Sequence, residues 1–123
     1  ISNPIKHLLY NIIFKENLNS LKSVKKLLKK FGNNVTLYKG LSEKMLTKIN
    51  MSEIDFVFLD GGHSYETVKN DLFLILKNMK KNKIIICDDY DQKNYGVKKA
   101  VDELVKNVTE VKELNKRLVK ITT

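Results

Sequence analysis

The sequence predicts an α/β fold, a mostly parallel sheet that ends in a C-terminal antiparallel hairpin. Apolar runs at Ile54–Leu59 and Lys83–Cys87 flank a helical pattern, as in a right-handed parallel βαβ unit. Both runs show little polar alternation, which is expected of strands that are covered on both faces. Two more strand-like runs, over 108–114 and 118–121, meet at a tight turn that contains Asn115, which indicates a hairpin.

The N-terminal part of the chain precedes this unit. In residues 1–17, the apolar spacing after Pro4 allows a helix, and a short strand over Tyr10–Phe14 is the alternative. A helix over Leu21–Phe31 follows, capped by Asn19 or Ser20.

Five strands are expected in all, and Val35–Tyr38 is the first of them. Three further helices are predicted between the strands. The first is a helix of about two turns that Ser42 can cap, and the others begin at Ser64 or Tyr65 and at Gly96 or Val97.

The length of 123 residues corresponds to one domain or to part of one, and a hydrophobic content of 42% is ordinary for a globular chain. We therefore expect a single domain over residues 1–123. The chain starts at Ile1 rather than at methionine, which suggests that it begins inside a longer reading frame.

The formal net charge is +9, but Arg117 is the only arginine. Specific nucleic-acid readers favour arginine for bidentate contacts, and the lysines here are spread over predicted helix surfaces. We interpret them as a solvated surface, with a nonspecific polyanion-binding face as the alternative. No specific nucleic-acid partner is expected.

Cys87 is the only cysteine, and it ends an apolar run where a buried, inert thiol is expected. An intrachain disulfide is therefore excluded, which fits a reducing compartment. No stretch is long and apolar enough to suggest a membrane span, so the expected location is the cytoplasm.

Acidic residues follow both strands of the βαβ unit. Asp60 comes directly after the first strand, and Asp88 and Asp89 come directly after the second. Both turns leave from the same sheet edge, where open α/β sheets bind their ligands. The three carboxylates have no basic residue immediately beside them, so they would repel one another, and a hard cation such as Mg²⁺ would relieve this repulsion. Taken singly, each acid could equally be a turn former or a helix cap.

His63, in the first acidic turn, is a candidate general base near neutral pH. Its structural alternative is a histidine that only caps a turn. His7 lacks neighbours of this kind and is expected to have no special role. Tyr65 and Tyr90, together with Tyr95, could line a substrate pocket or simply pack at its rim.

Three segments resemble one enzyme family. F-L-D-G-G-H-S-Y-E-T-V-K-N-D-L, then I-I-I-C-D-D-Y, then G-V-K-K-A-V-D-E-L resemble the class I S-adenosylmethionine-dependent methyltransferases. The most similar group is the macrocin O-methyltransferase-like sugar O-methyltransferases and related short enzymes with a D-G-x-H-x-Y motif. The resemblance covers roughly Leu21 to the end and implies a Rossmann-like methyltransferase sheet.

The resemblance also implies roles for individual residues. Asp60, Asp88 and Asp89 would hold Mg²⁺, which would orient two sugar hydroxyls, and His63 would lie near the base position. Gly40, Leu41 and Ser42 match the turn that borders the adenine of S-adenosylmethionine. The acceptor would be a small hydroxylated molecule such as a sugar.

The family's first strand, its glycine-rich loop and a clear ribose-binding acid are missing, and Glu16 is only a weak candidate for that acid. The resemblance thus implies the C-terminal portion of a methyltransferase, with weak or no donor binding by this chain alone. The alternative is a non-catalytic remnant or interaction scaffold of the same fold, which could complete itself as a homo-oligomer.

Overall fold

The computed structural model describes residues 20–123, which fall into two compact units. The first ends at Tyr38 and the second is Lys39–Thr123. The assignments made above for residues 1–17, including those of His7 and Glu16, lie outside the described residues. The expected single-domain organisation stays a prediction.

Within residues 20–38 of the first unit, the α-helix α1 covers Leu21–Leu28 and continues as a 3₁₀ helix over Lys29–Asn34. The Ser20 side chain caps α1 by accepting a hydrogen bond from the backbone N–H of Ser23, as predicted. The predicted strand Val35–Tyr38 is wrong. These residues have no ladder partner among the described strands, and a strand forms only where another strand takes up its backbone hydrogen bonds.

The second unit alternates strands and helices, and it contains all four described strands. In chain order its elements are α2 (Ser42–Leu46), β1 (Phe56–Leu59), α3 (Tyr65–Asn78), β2 (Ile84–Cys87), α4 (Val97–Leu104), β3 (Glu110–Glu113) and β4 (Val119–Thr122).

The strands form a single sheet in the order β1-β2-β4-β3. β1 and β2 are parallel, with Leu59 opposite Cys87, whereas β4 runs antiparallel to both β2 and β3. This confirms the α/β fold with a parallel βαβ unit and a C-terminal hairpin. Within residues 20–123 only one of the three strand pairings is parallel, because the expected strand near residue 35 is not formed.

The hydrophobic core lies on one face of the sheet, beneath α3 and α4. Leu72 and Ile75 of α3 are fully buried, as are Ala100 and Val101 of α4. The strands contribute residues that alternate along each chain and so share this face. Those that are fully buried are Ile85, Cys87, Val119 and Ile121.

The opposite face of β1 carries exposed aromatic residues. Phe56 and Phe58 are 53% and 52% exposed, whereas Val57 and Leu59, which alternate with them, pack against the core. The expectation that both faces of this strand are covered is therefore wrong for the described residues, because α3 and α4 both lie on the other face.

α2 is shorter than predicted and begins one residue earlier than an N-cap at Ser42 implies. Leu41 is its N-cap, and Ser42 is the first helical residue rather than the cap. Before it, Gly40 has a φ of +154°, and a Cβ there would lie 2.9 Å from Cε of Met45. The turn into α2 therefore requires glycine.

α3 follows its prediction closely, and the Ser64 side chain accepts a hydrogen bond from the N–H of Thr67 at its start. Its N-terminus packs tightly against the start of α4. A Cβ on Gly96 would lie 2.2 Å from the backbone nitrogen of Tyr65, so this contact excludes every other residue at position 96.

Among the described residues, no helix has the length and apolar character needed to cross a bilayer.

Candidate functional site

The parallel pairing of β1 and β2 places Asp60 beside Asp88. Leu59 and Cys87 are the last paired residues of the two strands, and the backbone N–H of Asp88 donates to the carbonyl of Leu59 at 3.0 Å. The two acids therefore follow neighbouring strand ends at one sheet edge, as the sequence predicts.

Asp89 completes a cluster of three carboxylates, the acidic cluster (Asp60, Asp88 and Asp89). One carboxylate oxygen from each residue lies within 4.8 Å of the others. Asp60 is exposed, whereas Asp88 is only 7% exposed. Asp89 has a φ of +54°, a conformation that aspartate tolerates better than most residues, and its N–H donates to Oδ1 of Asp88 at 2.8 Å.

Arg117 contacts the acidic cluster, which corrects the expectation that no basic residue lies beside these carboxylates. Its Nε donates to Oδ1 of Asp88 at 2.6 Å, and its Nη2 donates to Oδ2 at 2.7 Å. Nε also lies 3.5 Å from Oδ1 of Asp89. The guanidinium thus forms a bidentate pair with Asp88 and also lies close to Asp89.

The hairpin turn between β3 and β4 positions Arg117. Oδ1 of Asn115 accepts hydrogen bonds from the N–H groups of Arg117 and Leu118, at 2.7 and 2.9 Å. The carbonyl of Arg117 accepts from the N–H of Tyr90 at 2.9 Å, and that of Lys116 accepts from the N–H of Asp91. The acidic loop and the hairpin turn are therefore held together by backbone hydrogen bonds.

Contacts and burial shift the pKa values of two side chains at the strand ends. The Arg117 guanidinium holds the pKa of Asp88 below its ordinary value of 3.8, against the opposing effect of burial. The neighbouring Cys87 is fully buried, as predicted, and burial raises the pKa of its thiol to about 12.

His63 lies next to the acidic cluster. Its Nδ1 is 3.2 Å from Oδ2 of Asp89, and its ring stacks on that of Tyr95, with ring centroids 4.3 Å apart and planes 7° apart. The carbonyl of His63 accepts a hydrogen bond from the N–H of Gly96 at 2.8 Å. Ring, carbonyl and Nδ1 are thus all engaged, so the histidine has a defined orientation.

The other two tyrosines form contacts away from the acidic cluster. The Tyr90 hydroxyl is buried and donates to Oδ1 of Asp102 at 2.8 Å. The Tyr65 hydroxyl donates to Glu103, and Lys69 contacts both groups. These two side chains therefore join α4 to the loop before it and to α3, whereas the ring of Tyr95 stacks on His63.

The predicted donor-binding turn borders a separate cavity of about 200 Å³. Leu41 and Ser42 line it on one side, and residues from the start of α3 line it on the other. The remaining lining residues are Glu43, Glu66, Thr67, Asn70 and Asp71. Four of the seven lining residues carry a carboxylate or an amide, so the cavity is rich in hydrogen-bond acceptors.

Asp71 is the residue of this region that the sequence reasoning missed. It is 2% exposed in the middle of a helix, and Oδ1 has no hydrogen-bond partner among the described residues. Burial raises the pKa of its carboxyl group above 3.8, while a hydrogen bond from Ser42 acts in the opposite direction. Its Oδ2 lies 3.8 Å from the Cβ position of Gly61. Asp71 therefore lies between the turn at Ser42 and the turn that carries Asp60.

The acidic cluster has the donor chemistry that a hard divalent cation requires. Its donors are carboxylate oxygens from three residues at one sheet edge, and Asp60 is open to solvent. Both oxygens of Asp88 are also hydrogen-bonded to Arg117. The residues thus fit a metal ion, provided that Asp88 can share or exchange its partner.

Comparison with known proteins identifies the family. A family model described as a methyltransferase domain matches residues 8–90, which include α1, the cavity turn and the whole acidic cluster. The chain belongs to this methyltransferase-domain family. This agrees with the resemblance drawn from the D-G-G-H-S-Y and D-D-Y segments.

Two solved structures share the fold of this methyltransferase domain. The apo structure of CalS11, a TDP-rhamnose 3′-O-methyltransferase of calicheamicin biosynthesis, matches 82% of the chain with a TM-score of 0.64 and 19% identity. The O-methyltransferase NovP matches 94% of the chain with a TM-score of 0.60 and 17% identity. These matches cover 50% and 49% of the two larger chains, so the present chain spans about half of each.

A sequence relative comes from Acanthamoeba polyphaga mimivirus. Its uncharacterized protein R132 is 37% identical over 57 residues, which cover 45% of this chain and 26% of the viral protein. The matched segment thus corresponds to about a quarter of that relative.

Proposed function

We propose that this methyltransferase domain acts in the Mg²⁺-assisted transfer of a methyl group from S-adenosylmethionine to a hydroxyl of a small acceptor such as a sugar. The observation that carries the proposal is the meeting of three carboxylates and His63 at one sheet edge. The names of two structural neighbours, a sugar O-methyltransferase and an O-methyltransferase, support the choice of a hydroxyl acceptor.

In this proposal, Asp60, Asp88 and Asp89 hold the divalent cation. The bound cation would lower the pKa of an acceptor hydroxyl, so that the oxygen becomes a better nucleophile near neutral pH. The exposed position of Asp60 leaves this edge open to an acceptor from solvent.

His63 is the proposed proton acceptor. Its Nδ1 faces Asp89, so Nε2 is the ring nitrogen that would take the proton from the acceptor hydroxyl. The stacked ring of Tyr95 keeps the imidazole plane fixed. S-adenosylmethionine would supply the methyl group to the acceptor oxygen, and S-adenosylhomocysteine would be the leaving product.

Gly40, Leu41 and Ser42 are the proposed donor-binding residues. They precede and line the acceptor-rich cavity, which suits the hydroxyl and amino hydrogens that an adenosyl group offers. We expect only weak donor binding by this chain, since the glycine-rich loop and ribose-binding acid of the family are not identifiable in its sequence.

The test is methyl transfer from labelled S-adenosylmethionine to a panel of nucleotide-linked and free sugars, with Mg²⁺ or with EDTA. We expect a labelled product whose formation EDTA suppresses and the Asp89→Asn substitution abolishes. The control variant Asp91→Asn, which changes a neighbouring exposed acid, should still form the product. A product that forms equally well in EDTA would contradict the metal role. If no sugar of the panel is methylated, the sugar assignment is wrong.

A further inference from the structure

Arg117 is a cation supplied by the chain itself to the acidic cluster. It is the only arginine in the sequence, and its guanidinium contacts two of the three carboxylates. It engages both oxygens of Asp88 at short distances, 2.6 and 2.7 Å, which is the strong, charge-assisted form of such a pair. The following inference rests on the proposed metal site.

We propose that Arg117 and a divalent cation compete for Asp88, so that Arg117 sets the metal affinity of the acidic cluster and leaves it when metal binds. Nε of Arg117 lies 2.6 Å from Oδ1 of Asp88 and 3.5 Å from Oδ1 of Asp89. The Nε–H group therefore already lies between two of the carboxylates that would hold the ion.

Charge also opposes the presence of both cations. Three carboxylates lie within 4.8 Å of one another, and the guanidinium neutralises one charge at the most buried of them, Asp88. A divalent cation added beside the guanidinium would repel it at short range. The divalent cation therefore displaces the singly charged guanidinium of Arg117.

The Arg117 side chain can leave without unfolding the hairpin. The turn is fixed by hydrogen bonds from the N–H groups of Arg117 and Leu118 to the side-chain Oδ1 of Asn115, and from the N–H of Tyr90 to the carbonyl of Arg117. The side chain itself is 62% exposed, so it is free to move into solvent. Release of the Arg117 side chain therefore removes its positive charge from the acidic cluster, while the hairpin turn keeps its hydrogen bonds.

Substitution of Arg117 separates this role from a structural one. We expect Arg117→Gln to bind Mn²⁺ about tenfold more tightly than the unmodified chain, because the competing charged hydrogen bonds are gone. Arg117→Lys keeps the charge but loses the bidentate geometry, so its affinity should be intermediate. The matched control is Lys116→Gln, which removes a neighbouring positive charge that the structure does not place on the cluster and should leave the affinity unchanged.

A second readout follows the guanidinium directly. Because Arg117 is the only arginine, its Nε–H gives a single assignable signal in a proton–nitrogen correlation spectrum. During a Mg²⁺ titration we expect this signal to move to the position of a solvent-exposed arginine as the metal binds. The spectrum of Arg117→Gln, with backbone signals as dispersed as those of the unmodified chain, would show that the variant is folded.

The outcomes distinguish this inference from the proposed function. If Mg²⁺ binds while the Nε–H signal stays in place and Arg117→Gln has unchanged Mn²⁺ affinity, competition is wrong and the metal site stands. If no variant binds either metal, both the competition and the metal site are wrong. If only Arg117→Gln binds measurably, the competition is supported in its strongest form.

Discussion

Leu59 and Cys87 are register partners at the ends of two parallel strands, and this pairing brings Asp60 next to Asp88. The backbone N–H of Asp88 donates to the carbonyl of Leu59, so the two turns are joined at the point where both strands end. Asp89 follows Asp88 directly in the chain, and His63 lies in the same turn as Asp60, so both residues join the site. The geometry of the acidic cluster is thus a direct consequence of the βαβ topology.

The contact between Gly96 and Tyr65 predicts a large stability effect. A Cβ at residue 96 would lie 2.2 Å from backbone nitrogen, which cannot move as a side chain can. We expect Gly96→Ala to lower the free energy of unfolding by more than about 2 kcal/mol, seen as a fall in Tm of roughly 10 °C or more.

Gly61→Ala is the matched control for that measurement. Its Cβ would meet only Oδ2 of Asp71, at an ordinary contact distance of 3.8 Å. We expect a change within about 0.5 kcal/mol. Equal losses of stability in the two variants, measured by urea denaturation, would show that the tight packing at Gly96 has been misjudged.

The orientation of His63 predicts a separation between catalysis and metal binding. Glutamine at position 63 keeps a polar side chain but cannot take a proton near neutral pH. In the methyl-transfer assay we expect His63→Gln to lower the rate roughly 100-fold or more, which is the usual contribution of a general base, with little change in Mn²⁺ affinity.

Tyr95→Phe is the control, since phenylalanine keeps the ring that stacks on the imidazole. It should retain activity. A fully active His63→Gln variant would leave His63 with only the turn-capping role that the sequence also allowed.

Asp71 predicts a pH dependence of stability. Burial raises the pKa of its carboxyl group in the folded chain, so the folded state holds this proton more tightly than the unfolded state does. The stabilisation is complete below the unfolded pKa of about 4 and is lost as pH rises through the folded pKa. Asp71→Asn has no such proton, so its stability relative to the unmodified chain should increase as pH rises from about 4.

Urea denaturation of both proteins at several pH values, from about 3.5 to 7.5, tests this expectation. Asparagine can still accept a hydrogen bond from Ser42, whereas Asp71→Ala removes it and should be less stable than Asp71→Asn at every pH. A difference between Asp71→Asn and the unmodified chain that does not vary with pH would contradict the raised pKa.

Local patterns explain what could be predicted from the sequence. The bounds of α3 follow from Ser64 as its cap and from apolar residues at helical spacing, both of which are local signals. The meeting of Asp60 and Asp88 follows from a rule of chain topology. The first feature depends on residues that are close in sequence, and the second on a general rule for βαβ connections.

The missed features depend on contacts between distant residues. Arg117 reaches Asp88 across 29 positions, and only the closure of the hairpin against the acidic loop brings them together. A single arginine beside a predicted turn was the one available signal. The exposure of Phe56 and Phe58 has the same origin, since an apolar run does not reveal how many faces of a strand are covered.

The most direct measurement is a calorimetric titration of Mn²⁺ into the chain and into its Asp60→Asn, Asp89→Asn and Asp91→Asn variants. Asp88 is left unchanged because its replacement would also release Arg117. A metal site in the acidic cluster predicts saturable binding of one ion, weakened strongly by substitution at residue 60 or 89 and unaffected at residue 91. Absence of saturable binding, or equal binding by all four proteins, would contradict the assignment of this sheet edge as a divalent-cation site.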